Sequence, residues 1–188
     1  MPMLKNRIAR VFKYKNMDLI KDALWSQFGA SIDMLINAIS GCPDDYLQTH
    51  KRFFYIAFHS VIFLDYYLTF PPSGFAPSLA FSQRPGAERP IESIGDLIPD
   101  RFYTQQELIG YLQQSRIKCK NIINNLNVNT INDRFIEGSE PDDMNYSVLE
   151  ILLYNLRHTQ HHTAQLNLLI RQDLNKHTDW YFKTDDKL

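Results

Sequence analysis

The amino-acid sequence predicts an all-α protein, a four-helix bundle of up-down-down-up topology. Apolar residues recur near helical spacing over four long segments, and no run of alternating polar and apolar residues competes with them. One connection is far longer than the rest, which lets the two helices it joins run parallel.

The first predicted helix covers residues 17–40, with Ile20, Leu24, Phe28, Leu35 and Ile39 near one side and Gly41 before Pro43 to close it. The second covers residues 46–70 and stops at Pro71-Pro72, because proline has no N–H to donate and crowds the preceding turn. Its stretch FFYIAFHSVIFLDYYLTF, residues 53–70, is about as long as a membrane span. His59, Ser60 and Asp65 interrupt it and no second such stretch exists, so burial inside a bundle is the better expectation. Asp65 then needs a partner, and a histidine or Arg157 could serve.

The third helix covers residues 104–126. Thr104 and Glu107 stand in capping-box spacing at its start, and Leu108, Tyr111, Leu112, Ile122 and Ile123 form its apolar face. The fourth covers residues 147–174, with Ser147 and Glu150 in the same spacing. A short link, GCPDD, makes the first two helices antiparallel neighbours. Between the second and third lies a crossover, residues 71–103, holding six of the nine prolines. A connection that long is functional or disordered as a rule, and Phe75, Phe81 and Phe102 argue that it packs on the helices.

Composition narrows the function classes. With 188 residues, 44% hydrophobic and 22% charged, the chain is expected to form one domain, residues 1–188. A net charge of −1 offers no electrostatic case for nucleic acid or an anionic membrane surface as partner. Cys42 and Cys119 have no metal-ligand spacing and fit reduced cytoplasmic thiols, a single disulfide being the alternative. The opening segment, MPMLKNRIARVFKYKNMDLIKD, lacks the continuous apolar core of a secretory signal.

The segment NLRHTQHHTAQLN places three of the six histidines, His158, His161 and His162, within five positions. On a helix, His158 and His162 project from one face about 6 Å apart along the axis, the separation two imidazoles need to share an ion. His59 lies halfway along the second helix, at the level where it can meet that pair across the core. Three imidazoles with a position left open is the donor set of a catalytic divalent-metal site, and imidazole suits zinc, nickel and iron alike. Taken alone, His59 is better read as a hydrogen-bonded core histidine, and the pair His158 and His162 could equally be a chance pairing on a wet helix face. His161 points about 60° away from His158, so it suits a supporting role, hydrogen-bonded beside the site or at a subunit contact. Gln165, three places after His162, could orient a ligand or be an ordinary helix glutamine. Tyr66, two turns after His59, could face the site or simply pack. His50 and His177 are expected in solvent. The sequence has no Glu-x-x-His, His-Glu-x-x-His, glycine-rich phosphate loop or Gly-x-Ser-x-Gly, which removes the di-iron, zincin, nucleotide and α/β-hydrolase sites.

YNLRHTQHHTAQLNLLIRQ resembles the signature helix of the DinB-like superfamily, which carries a His-x-x-His-His-x-x-Gln-Leu run. FYIAFHSVIFLDYYL resembles that family's second-helix segment with its single histidine, and LWSQFGASIDML, the proline-rich crossover and Trp180 extend the likeness over almost the whole chain. The resemblance implies an up-down-down-up bundle, commonly a homodimer. It implies a metal held by His59, His158 and His162, most often nickel or zinc, with iron and manganese as alternatives. It also implies a small-molecule substrate and either thiol-dependent S-transfer, with a low-molecular-weight thiol, or hydrolysis. His161 is the one candidate general base. Where many relatives read His-His-Arg-Gly-Gln, this chain reads His-His-Thr-Ala-Gln, so Thr163 and Ala164 replace an arginine and a glycine. The rival expectation is a non-catalytic, dimeric metal-binding or stress-response interaction module.

Overall fold

A computed structural model of the chain describes residues 2–188, and side chains from residue 16 onward. The described residues are mainly helical: α1 Pro2–Ser40, α2 Asp44–Thr49, α3 Lys51–Tyr66, α4 Gln105–Asn125 and α5 Val148–Leu174. Two small antiparallel hairpins interrupt the connections, β1 Phe81–Gln83 with β2 Leu97–Pro99, and β3 Arg134–Ile136 with β4 Asn145–Ser147. No helix among the described residues is long and apolar enough to cross a membrane.

Helix ends follow the local chemistry. At α4 the Thr104 hydroxyl accepts from the Glu107 N–H while the Glu107 carboxylate accepts from the Thr104 N–H, so both halves of the capping box form. At α5 the Ser147 hydroxyl accepts from the Glu150 N–H at 3.2 Å. That helix ends on Asn175 in the left-handed conformation, φ 51°, which asparagine tolerates better than most residues.

Three expectations need correction. The first helix begins at Pro2, fifteen residues before the apolar periodicity starts. The second expected helix is two, because the chain leaves helical geometry at His50, φ −93° and ψ 83°. There His50 Nδ1 accepts from the Phe53 N–H at 3.1 Å and caps α3, while Nε2 lies 3.1 Å from Asp173, so His50 is not simply solvated. That helix also stops at Tyr66, four residues before the prolines, and the chain turns through residues 67–70. The four short strands are the third difference; at three residues each they are too short to show alternation.

Packing ties the long helices in two pairs of contacts. α1 lies against α4 and α5, and α3 lies against the same two. α1 and α3 therefore stand diagonally across the bundle and are not the packed neighbours that the short link predicts. Gln105, at the start of α4, donates to the carbonyls of Ile39 and Cys42 at 2.8 Å, while Lys21 reaches the Asn124 carbonyl at the other end. Asn155 donates to the Leu64 carbonyl at 2.9 Å, and Tyr46 to Asp173 at 2.7 Å, joining α5 to the α2–α3 segment. Phe28, Leu35, Phe53, Ile62, Leu112, Leu152 and Leu166 are fully buried between them. Each such side chain contributes about 1.5–3 kcal/mol by leaving water.

The C-terminal segment straps α1 to α4. Trp25 Nε1 donates to the Asp186 carbonyl at 2.7 Å, and Arg116 pairs with Asp33 at 2.7 Å and Asp186 at 3.1 Å. Thr184 sits against Gly29, where a Cβ would come within 2.8 Å of its methyl group.

Asp65 meets neither a histidine nor Arg157. It accepts from the Tyr111 hydroxyl and pairs with Lys118 Nζ at 2.6 Å, which also donates to Thr69 Oγ1 at 2.7 Å. Replacing Asp65 with Ala strands a buried phenol and a half-buried ammonium at the end of α3. The expected cost is about 1–3 kcal/mol, read as a lower urea midpoint with an unchanged slope; a midpoint equal to the parent's contradicts it.

Candidate metal centre

His59 stands in the middle of α3, and His158 and His162 stand one turn apart in α5. Because α3 and α5 touch along their length, the three rings converge. His59 Nε2 and His158 Nε2 are 3.1 Å apart, as are His158 Nε2 and His162 Nε2, and the three donor atoms lie within 4.8 Å of one another. Nitrogens bound to one ion at about 2.0–2.1 Å stand about 2.9–3.4 Å apart, depending on geometry. The two 3.1 Å separations, both from His158, match that spacing.

Proton bookkeeping points the same way. His162 Nδ1 is 2.7 Å from Gln165 Oε1; a proton on Nδ1 donated to that oxygen leaves Nε2 as a free lone pair. His59 Nδ1 and His158 Nδ1 are buried with no hydrogen-bond partner. The backbone of Ile94 slightly favours protonation of His59, without completing a hydrogen bond to its Nδ1. Sharing protons among three facing nitrogens cannot occupy all three lone pairs. A single divalent ion would.

Burial, followed by the neighbouring rings, pulls the pKa of His59 and of His158 from 6.5 down to about 3. Burial also lowers His162, against a smaller opposing effect of Gln165. All three imidazoles are therefore neutral at neutral pH, the form that binds metal.

The surroundings are aromatic. Phe63 lies 4.4 Å from the His59 ring and 5.8 Å from His158, centroid to centroid; Tyr67 lies 5.6 Å and Tyr154 6.1 Å from His158. The crossover closes over His59 at Gly95, whose φ of 70° would strain any residue with a side chain and where a Cβ would press on two ring atoms at 3.3 Å. His59 and His158 keep partial exposure, and His162 is buried.

The remaining sequence candidates sit around this centre. Gln165 touches His162, as described. His161 is exposed, its ring 5.0 Å from that of His162 and off the line of the three converging nitrogens. Tyr66 turns its hydroxyl to Glu137, at 2.9 Å, and not to the histidines. Tyr154 and Gly95 escaped the sequence reading, which takes Phe63 and Tyr67 only as part of the apolar second helix. Phe63 follows His59 by four and Tyr154 precedes His158 by four, so helical spacing alone would have placed those two beside the histidines. Gly95 carried no such signal. The two cysteines are far less available: both are buried and unpaired, and burial pushes Cys42 up to about 11.

A pocket of about 750 Å³ lies elsewhere, between α4 and the turn at residues 130–134. Comparison with protein-family models, with curated proteins and with solved structures finds no match.

The lowered histidine pKa values predict an acid-sensitive apo-protein. Each folded pKa lies below its unfolded value, so between pH 6.5 and about 3 the unfolded chain binds more protons. Stability is fully present above pH 6.5 and drains away as pH falls toward 3. Thermal midpoints of metal-free protein should therefore drop through that window, and less steeply in His158→Gln. An equal slope in the variant contradicts the prediction.

Proposed function

We propose that this chain is a metal-dependent enzyme of the DinB-like kind, acting on a small-molecule substrate by thiol-dependent S-transfer or by hydrolysis. One observation carries the reading: three neutral imidazoles from two helices turn their Nε2 atoms on one point. A divalent ion there supplies Lewis acidity, lowering the pKa of a coordinated thiol or water and polarising an electrophile.

The chain's own residues divide the remaining work. His59, His158 and His162 hold the ion, and Gln165 fixes the ring of His162. Phe63, Tyr67 and Tyr154 exclude water and offer a flat apolar wall. His161, exposed beside His162, is the side chain placed to pass a proton to solvent. Three imidazoles accept zinc, nickel and iron alike; the family resemblance favours nickel or zinc, with iron and manganese as alternatives.

The helix contacts support an up-down-down-up bundle. The end of α1 meets the start of α4, the end of α3 meets the start of α5, and residues 58 and 65 of α3 meet residues 103 and 111 around the start of α4 in the same order. A cytoplasmic location and a homodimer belong to the same reading, the first supported by two unpaired buried thiols.

A second reading, a non-catalytic dimeric metal-binding or stress-response module, draws on the same aromatic rings. They crowd the histidines closely enough to leave little room for a large substrate.

Protein purified without an affinity tag should carry about one divalent ion per chain. His158→Ala should lose it while circular dichroism retains the helical signal, because the core between the helices is large without the site. Unchanged metal content in that variant contradicts the assignment. The loaded parent protein should accelerate conjugation of a small thiol to electrophiles or hydrolysis of an activated ester; tight metal binding with neither activity favours the second reading.

A further inference from the structure

We propose that the centre takes up a small organic carboxylate with a flat apolar body, and that Arg157 supplies a further positive charge that draws it in. The inference rests on the metal reading above and names the ligand class of that same site.

Charge counting carries it. Three neutral imidazoles leave a divalent ion with both its charges, and no aspartate or glutamate belongs to the donor group. The charged groups that bear on the three rings are the histidines themselves and Arg157, with no carboxylate among them. The acidic side chains on neighbouring residues are engaged elsewhere: Asp65 with Lys118 and Tyr111, and Glu137 with the Tyr66 hydroxyl. A double positive charge in a half-buried aromatic setting is costly unless an anion joins it. The protein does not provide that anion, so solution must.

Arg157 strengthens the imbalance. It precedes His158, is exposed, and holds its guanidinium 5.2 Å from the centre of the Tyr154 ring. Tyr154 in turn stacks on His158, the planes 16° apart. Among the described residues Arg157 has no carboxylate partner within ion-pair distance, so its charge is free to meet a ligand. The walls choose the body of that ligand. Phe63, Tyr67 and Tyr154 present ring faces and edges to the histidines, a surface that suits an aryl group better than a hydrated chain.

The test uses the full chain loaded with cobalt(II), whose visible spectrum reports its ligands. Titration with benzoate, acetate and benzamide should give benzoate the tightest binding, at least about tenfold tighter than neutral benzamide. Acetate, lacking the ring, should be weaker than benzoate. Arg157→Gln should weaken benzoate about tenfold while binding the same amount of cobalt, and Arg157→Lys, which keeps the charge, should recover most of that loss. Benzamide binding as well as benzoate, or Arg157→Gln leaving benzoate unaffected, overturns the proposal and points to solvent hydroxide as the balancing anion. Failure of the parent chain to take up cobalt overturns the metal reading beneath it, a result separate from cobalt bound without preference.

Discussion

An imidazole buried in an apolar helix must find a partner for each of its nitrogens or accept the cost of leaving one bare. Here three imidazoles face that demand together, and the molecule answers it only in part. Gln165 serves His162, while His59 and His158 each keep one ring nitrogen without a partner. The three remaining nitrogens, one from each ring, are turned on each other at contact distance. Groups so arranged repel protons and attract a cation, and every functional property argued for the chain follows from that arrangement.

The rest of the fold can be understood as what keeps the arrangement in place. α3 and α5 are locked at matched depth by Asn155 on the Leu64 carbonyl on one side of the centre, and by Asp173 with Tyr46 and His50 on the other. A slide of one residue along either helix would rotate a histidine by about 100° and break the convergence. The long crossover is more than a return path. It folds into a small hairpin, sets Phe75 edge-on to Tyr66 and Phe102 at a tilt against Phe54, and brings Gly95 down on the His59 ring. That backbone contact closes one side of the centre without adding a side chain.

Much of this was legible in the sequence, and the reasons are physical. Helical periodicity fixes direction over one turn, so the pairing of His158 with His162 could be read directly, and mid-helix position was enough to bring His59 to the same depth. Thr104 with Glu107, and Ser147, marked two helix starts because caps are local chemistry. What could not be read depends on contacts distant in sequence. The break at His50 requires Asp173 as well as the cap on Phe53. Asp65 finds Tyr111 and Lys118 on a helix some fifty residues away, where the sequence offered a histidine or Arg157. Gly95 gains its meaning only once His59 lies beneath it, and Tyr66 turned from the centre because Glu137 waited on a hairpin with too few residues to show a pattern.

X-ray absorption at the metal edge of the zinc-loaded chain measures the central claim most directly, because it counts donors around the ion itself. Convergence of His59, His158 and His162 requires three imidazole nitrogens at about 2.0–2.1 Å, with the outer-ring scattering that identifies histidine. A coordination sphere made mainly of oxygens, or one with a single imidazole, would show that the three rings meet for some other reason.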